Sequence, residues 1–365
     1  MHLSKDKILI IGGYGAVGKV VSGYLARQFP GKVIIAGRNK QKARDLIFKY
    51  KLSAIPAAID LSSNSFEEIN FEQIHTAISC IEYLQDDGFI LKCIQHHIHY
   101  AELATSYEAF LRLISYKKEV EKSKLCLIPG VGLMPGLSGV FVQNALSGLR
   151  KINEVQSFIL LGLAEEHGLD AIRWMIEAAD KCFYVKTKHG LEQVKAFADP
   201  VKVQLLTENH PRKFYRFDFG DQHIIADFMD VPIAQTWLAF DSKFVTWLIV
   251  LFRKIGLVKK LNKIKPQIIK KWLDKFRFGS DNFAVQTHCY GYNKSEIIYM
   301  AKGASEAHAT GAIASYAVGL LYQTNNLTGI KRLEEIIEFD DFIQYLQKKG
   351  ISILIRKIEV DHKNR

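Results

Sequence analysis

Over the first third of the chain, short apolar runs alternate with stretches of helical period. Residues 8–11, 33–36, 57–59, 77–80 and 125–128 are apolar and of strand length, while 18–29 and 40–50 have helix length and pattern. Strands buried on both faces read as near-continuous apolar runs, and their alternation with helices predicts a parallel sheet covered on both sides. After Gly130 the pattern changes. Residues 154–163, 182–187, 213–219, 283–290 and 296–302 read as strands, with tight turns predicted at Phe219-Gly220-Asp221-Gln222 and Gly291-Tyr292-Asn293-Lys294. An Ala-rich helix over 305–322, a helical pattern over 339–348 and a strand-like 351–355 follow. The expected class is α/β. It comprises a doubly wound parallel sheet over 1–130, an α+β domain with a largely antiparallel sheet over 131–303, and C-terminal elements over 304–365 packing back on the first domain.

The first apolar run opens into Gly12-Gly13-Tyr14-Gly15-Ala16-Val17-Gly18 and then a helix. This is G-x-G-x-x-G at Gly13, Gly15 and Gly18, in the strand–helix context that a dinucleotide site requires. One glycine makes the tight turn, one lets backbone approach a pyrophosphate, and one lets helix and strand pack closely. Twenty residues beyond Gly18, where an NAD site carries a carboxylate for the ribose hydroxyl, stands Arg38, followed by Asn39. A guanidinium there would hold a 2′-phosphate, so NADP(H) is expected over NAD(H). Lys42 either adds charge to that pocket or is a solvated helix lysine. Asp60, after the third strand, either approaches the adenine or caps the next turn. Ser79 and Cys80, ending the fourth strand, complete the expected cofactor-binding set.

Hydride chemistry asks the protein to position a nicotinamide and manage one proton. Tyr100 and Glu102 flank Ala101 in a strand-like segment, so both project to one side at the carboxyl edge of the sheet. They are the candidate catalytic pair; the alternative is a packing tyrosine and a helix-capping glutamate. The run Pro129-Gly130-Val131-Gly132-Leu133-Met134-Pro135-Gly136 reads as a domain crossover that begins a helix at Pro135. That helix would face an anionic group, or the run is a hinge alone. His96, His97 and His99 share no helical face, so no metal is expected. No G-x-S-x-G, H-E-x-x-H or Walker motif occurs, which sets hydrolases and kinases aside.

Charge adds one feature. The chain carries 49 Lys and Arg against 38 Asp and Glu, a net +11, and residues 243–277 hold eleven of those bases against a single acid, Asp274. The remainder is therefore nearly neutral, which argues against nucleic acid and toward a local role for the basic segment. Beyond Pro266, Ile269, Trp272, Leu273 and Phe276 fall at helical spacing among lysines. Such a segment either lies on an anionic membrane or forms a lid with its apolar face turned inward. Its longest apolar run, 244–252, is nine residues, about half of what a membrane-spanning helix needs. Five scattered cysteines without a C-x-x-C pair, and a start that lacks a leader pattern, lead to the expectation of a cytoplasmic protein, with peripheral membrane contact through 243–277 as the variant reading.

The motifs GGYGAVG, VIIAGRNKQKA, AAIDL, AISC, IHYAELA and LIPGVGLMPGLSG, in that order over 7–140, resemble the NADP-binding region of the saccharopine dehydrogenase-like oxidoreductases. GSDNFAVQ at 279–286 and the helix over 305–320 resemble later parts of bacterial members. The resemblance implies a Rossmann domain with an inserted domain for substrate and dimerisation. It also implies NAD(P)-dependent chemistry at a carbon–nitrogen or carbonyl bond of a small molecule. Tyr100-Ala101-Glu102 stands where relatives read Y-x-D. A catalytically silent NADP-binding protein, or a membrane-peripheral enzyme with a lipid substrate, are the competing readings.

Overall fold

The computed structural model describes residues 5–81, 87–149, 151–164, 175–258, 264, 268, 279–292, 294–324 and 326–358. It divides into two compact units, Met1–Gly136 with Ala307–Ile337, and Leu137–Glu306 with Glu338–Arg365.

The first unit is built on a parallel sheet. Strands β1 (Lys7–Ile11), β2 (Val33–Gly37), β3 (Ala54–Ala58), β4 (Ile74–Ser79), β5 (His99–Glu102) and β6 (Cys126–Ile128) are joined by helices α1 (Gly18–Gln28), α2 (Lys40–Tyr50), α3 (Gly88–Gln95), α4 (Tyr107–Ser115) and α5 (Lys117–Lys122). The strand order is β3-β2-β1-β4-β5-β6, and the two-residue strand Gly329–Ile330 extends the β6 edge. Every pairing is parallel. The order reverses between β1 and β4, and ligands bind such sheets at that switch point, outside the carboxyl ends of the strands. Leu9, Ile11, Ile34, Ala36, Ala77, Tyr100 and Leu127 share one buried cluster, which explains why these strands lack polar alternation.

A helix over Glu306–Gln323 completes this unit by packing on α1. Gly311 permits the approach, because a Cβ there would stand 2.6 Å from that of Val20. Farther along, the Tyr322 and Phe29 rings meet edge-on at 4.8 Å, and the Tyr322 hydroxyl donates to the carbonyl of Asp6.

The second unit carries a seven-stranded mixed sheet. Following α6 (Leu137–Leu149), its strands are β7 (Ile152–Leu161), the separate hairpin β8–β9 (Cys182–Thr187, Gly190–Lys195), β10 (Val201–Val203), β11 (Arg212–Arg216), β12 (Ile233–Phe240), β13 (Asn282–Gly291) and β14 (Glu296–Ala304). The order is β10-β11-β12-β7-β13-β14, with Ser352–Ile358 added beyond β14. The β7–β12 pair is parallel and the rest antiparallel. One face packs on α6, where Phe141 stacks on Tyr299 at 5.0 Å. The other buries Phe158, Leu160, Phe214, Trp237 and Met300.

Four sequence expectations need correction. The stretch Phe219–Gln222 is no hairpin turn: Phe219 is the extended N-cap of a helix, α7 (Gly220–Phe228). The crossover helix begins at Leu137 rather than Pro135, because Gly136 holds a φ of 125°, outside helical geometry. Residues 338–358 do not join the first unit. Their helix Phe339–Lys348 and strand Ser352–Ile358 belong to the second, where the strand pairs antiparallel with β14 from Glu296↔Ile358 to Lys302↔Ser352. An antiparallel sheet that stopped at β14 would leave a full edge of unpaired backbone groups, and this strand satisfies them. The bounds of the inserted domain therefore run past 303. The basic segment begins as a helix, α8 (Lys243–Lys254), while the expected helix beyond Pro266 lies outside the described residues.

Candidate cofactor site

The loop from Gly12 to Gly18 sits at the switch point, between the end of β1 and the start of α1. Gly12 makes the turn at φ 72°. Gly13 lies against Ile35 and the Ser22 hydroxyl, both 2.9 Å from a hypothetical Cβ, and Ser22 donates to its carbonyl at 2.8 Å. Gly18 packs so tightly on the loop that a Cβ would meet the Gly12 carbonyl at 2.1 Å. Gly15 is different: it is exposed, and a Cβ would have one near neighbour, that same carbonyl at 3.2 Å. The three glycines of the fingerprint thus divide into two that pack inward and one, Gly15, that is exposed and touches only the Gly12 carbonyl.

Helix α1 starts behind this loop with Val17 as an N-cap that has no side-chain cap bond. Gly13, Gly15 and Lys19 direct their N–H groups to the carbonyls of Ala36, Gly12 and Gly15. Among the described residues, no protein acceptor takes the N–H of Ala16 or Val17. Unsatisfied N–H groups at a helix start, aligned with the positive end of its dipole, are suited to an anionic group. These residues fit a dinucleotide pyrophosphate.

Tyr14 points away from the loop toward the end of β2. Its hydroxyl accepts the backbone N–H of Asn39 at 2.9 Å, and its ring lies 2.7 Å from where a Cβ on Gly37 would stand. The Asn39 side chain in turn caps α2 by accepting the N–H of Lys42 at 3.2 Å. Arg38, Asn39 and Lys42 are all exposed around this point. Asp60 accepts from the hydroxyl and N–H of Ser62 at 2.7 and 3.0 Å, and these bonds, with the Arg38 charge nearby, hold its carboxyl below the usual range. The Asp60 geometry is that of a turn cap. At the end of β4, the Cys80 N–H donates to the carbonyl of Ile11 and burial pushes its thiol up to about 12, so Cys80 walls the loop as a neutral group.

Tyr100 and Glu102 do share one side of β5, with the Tyr100 hydroxyl donating to the Glu102 carboxylate at 3.1 Å. Both are buried, at 0% and 1% exposure, and Arg112 of α4 donates to the same carboxylate oxygen at 3.1 Å. Burial raises the Tyr100 phenol well above its ordinary range. Asp87 extends the network, 3.5 Å from Arg112 and accepting from the Tyr116 hydroxyl at 2.7 Å. Sequence reading missed Arg112, whose spacing from Glu102 spans a strand, a loop and a helix. His99 is half-buried, which pushes its imidazole down to about 4, and its Nδ1 accepts the N–H of Cys126 at 3.0 Å. His96 stacks on Phe71 and pairs with Glu72. No group of three or more metal-ligating side chains is gathered among the described residues.

Residues 8–127 match the family described as the saccharopine dehydrogenase NADP binding domain. Saccharopine dehydrogenase (L-Glu forming) from Saccharomyces cerevisiae is similar in fold, with a TM-score of 0.68 at 12% identity, covering 97% of this chain and 100% of that one. An engineered D-amino acid dehydrogenase bound to NADP+ (TM-score 0.47, 12% identity, 93% and 99% coverage) and a dehydrogenase from Chromobacterium violaceum (0.42, 9%, 95% and 94%) are too distant to carry an argument. No curated protein shows a significant match. Over residues 8–127 the family match bears out the resemblance read from the motifs.

Proposed function

We propose, from a first domain of the saccharopine dehydrogenase NADP-binding type, that the chain is an NADP(H)-dependent oxidoreductase acting at a carbon–nitrogen or carbonyl bond of a small molecule. The observation that carries the cofactor choice is Arg38, exposed at the end of β2 where an NAD site needs a carboxylate. When bound, the nicotinamide donates or accepts the hydride. Gly15 leaves room for the pyrophosphate, the Ala16 and Val17 N–H groups take its oxygens, and Arg38 with Lys42 neutralises the 2′-phosphate. Tyr14 fixes the Asn39 backbone and so sets where Arg38 leaves the sheet.

Tyr100 and Glu102 have a positioning role in this reading. Ion-paired to Arg112 and buried, they tie β5 to α4 and leave the proton step to the substrate or solvent. That burial also favours a second reading, an NADP-binding protein without turnover. Titration of NADPH and NADH against the whole chain tests the cofactor assignment, and equal affinity overturns it. A screen of amines, imines and carbonyl compounds followed by NADPH absorbance separates enzyme from silent binder.

A further inference from the structure

Helix α8 has two apolar faces. Val245, Thr246 and Val250 are buried, and the Thr246 hydroxyl both accepts the N–H of Phe240 and donates to backbone carbonyls, fixing the helix to the end of β12. The opposite arc holds Phe244, Trp247, Leu248, Leu251 and Ile255, spaced as i, i+3, i+4, i+7 and i+11. Phe244, Trp247 and Ile255 are 58%, 55% and 58% exposed, and the first two rings lie 6.0 Å apart. Lys243 and Lys254 are exposed beside this arc. A helix that is apolar all round is normally covered on all sides. Among the described residues one side is open, and it is the aromatic side.

We propose that this arc docks on an anionic lipid bilayer, with α8 in the plane of the interface and Phe244 and Trp247 entering the acyl boundary. Charge complementarity selects this occupant: α8 itself carries Lys243, Arg253 and Lys254 and no acid, and in sequence it opens a segment, 243–277, with eleven bases to one acid. Amphipathic tryptophan and phenylalanine suit the boundary layer, while flanking lysines reach phosphate oxygens. A second copy of this chain would bring the same positive segments together and be repelled.

The test is co-sedimentation with phosphatidylcholine vesicles, with and without about a third phosphatidylserine, at low and high salt. The whole chain should pellet with the anionic vesicles at low salt only. The double variant Phe244→Ser, Trp247→Ser, which alters exposed side chains, should lower the partition by roughly tenfold or more and leave NADPH affinity unchanged. Absence of binding by the unmodified chain, or undiminished binding by the variant, overturns the proposal. So does concentration-dependent dimerisation that this variant abolishes, which would make the arc a self-interface.

Discussion

Gly15 lies between a strand end and a helix start with one near neighbour, the Gly12 carbonyl 3.2 Å from a hypothetical Cβ, so a side chain there meets far less protein than one at Gly18 and projects toward the ligand. Gly15→Val should therefore lower the thermal midpoint much less than Gly18→Val and remove measurable NADPH binding by titration. Gly18→Val, whose side chain would be driven into the Gly12 carbonyl, should instead reduce the folded yield. Arg38→Ala should weaken NADPH by about one to two decades, the usual loss of a charge-assisted contact, and leave NADH little changed. Buried Asp221 makes a different prediction. Burial raises its carboxyl to about 7 in the folded chain, against 3.8 for a free aspartate side chain. Between those values the folded state holds a proton that the unfolded state has released, so stability falls as pH rises through that window and levels off above it. Asp221→Asn should flatten this slope, at most ~1.4 kcal/mol per pH unit, in urea midpoints compared near pH 5 and near pH 8. Invariable midpoint differences between variant and parent across that range would contradict the assignment. At this scale the fingerprint glycines and Arg38 were legible because each is tied to a strand–helix junction in sequence. The reach of Tyr14 to Asn39, and of Arg112 to Glu102, was hidden because side-chain contacts across elements leave no periodic trace.

Among elements, the apolar runs of the first sheet were readable because a strand covered on both faces must be apolar throughout. The segment after Phe219 misled because Gly and Asp open turns and helices alike; only the extended Phe219 and the buried Ile224 and Ile225 decide for a helix. Parallel pairing of β7 with β12 was equally invisible, since the strands lie some seventy residues apart and alternation says nothing of direction. Helix packing in the first unit offers a sharp test. Gly311 lies against Val20 of α1, and Gly311→Val would force those helices apart, an overpacking that costs about 1 to 3 kcal/mol. The expected outcome is a lower thermal midpoint partly restored by saturating NADPH, because a ligand that binds only the folded domain stabilises it. Failure of NADPH to restore any stability would place the cofactor elsewhere.

For the whole molecule, each unit is assembled from two separated stretches of chain, 1–136 with 307–337 and 137–306 with 338–365. The change of pattern after Gly130 revealed that a second domain begins, yet nothing local showed where it ends. The strand Ser352–Ile358 finds its partner some fifty residues earlier, and its exposed Ile355 and Ile358 flank Arg356 and Lys357, basic residues of the kind that discourage further pairing at a sheet edge. This arrangement sets an order on synthesis. As the chain leaves the ribosome, β14 is made, and left with an open edge, while the residues that will cover it do not yet exist. The nascent second sheet is sticky until Ser352–Ile358 has been made. A chain stopped at Ile337 keeps that edge permanently, and should accumulate as aggregates while the full chain stays in solution.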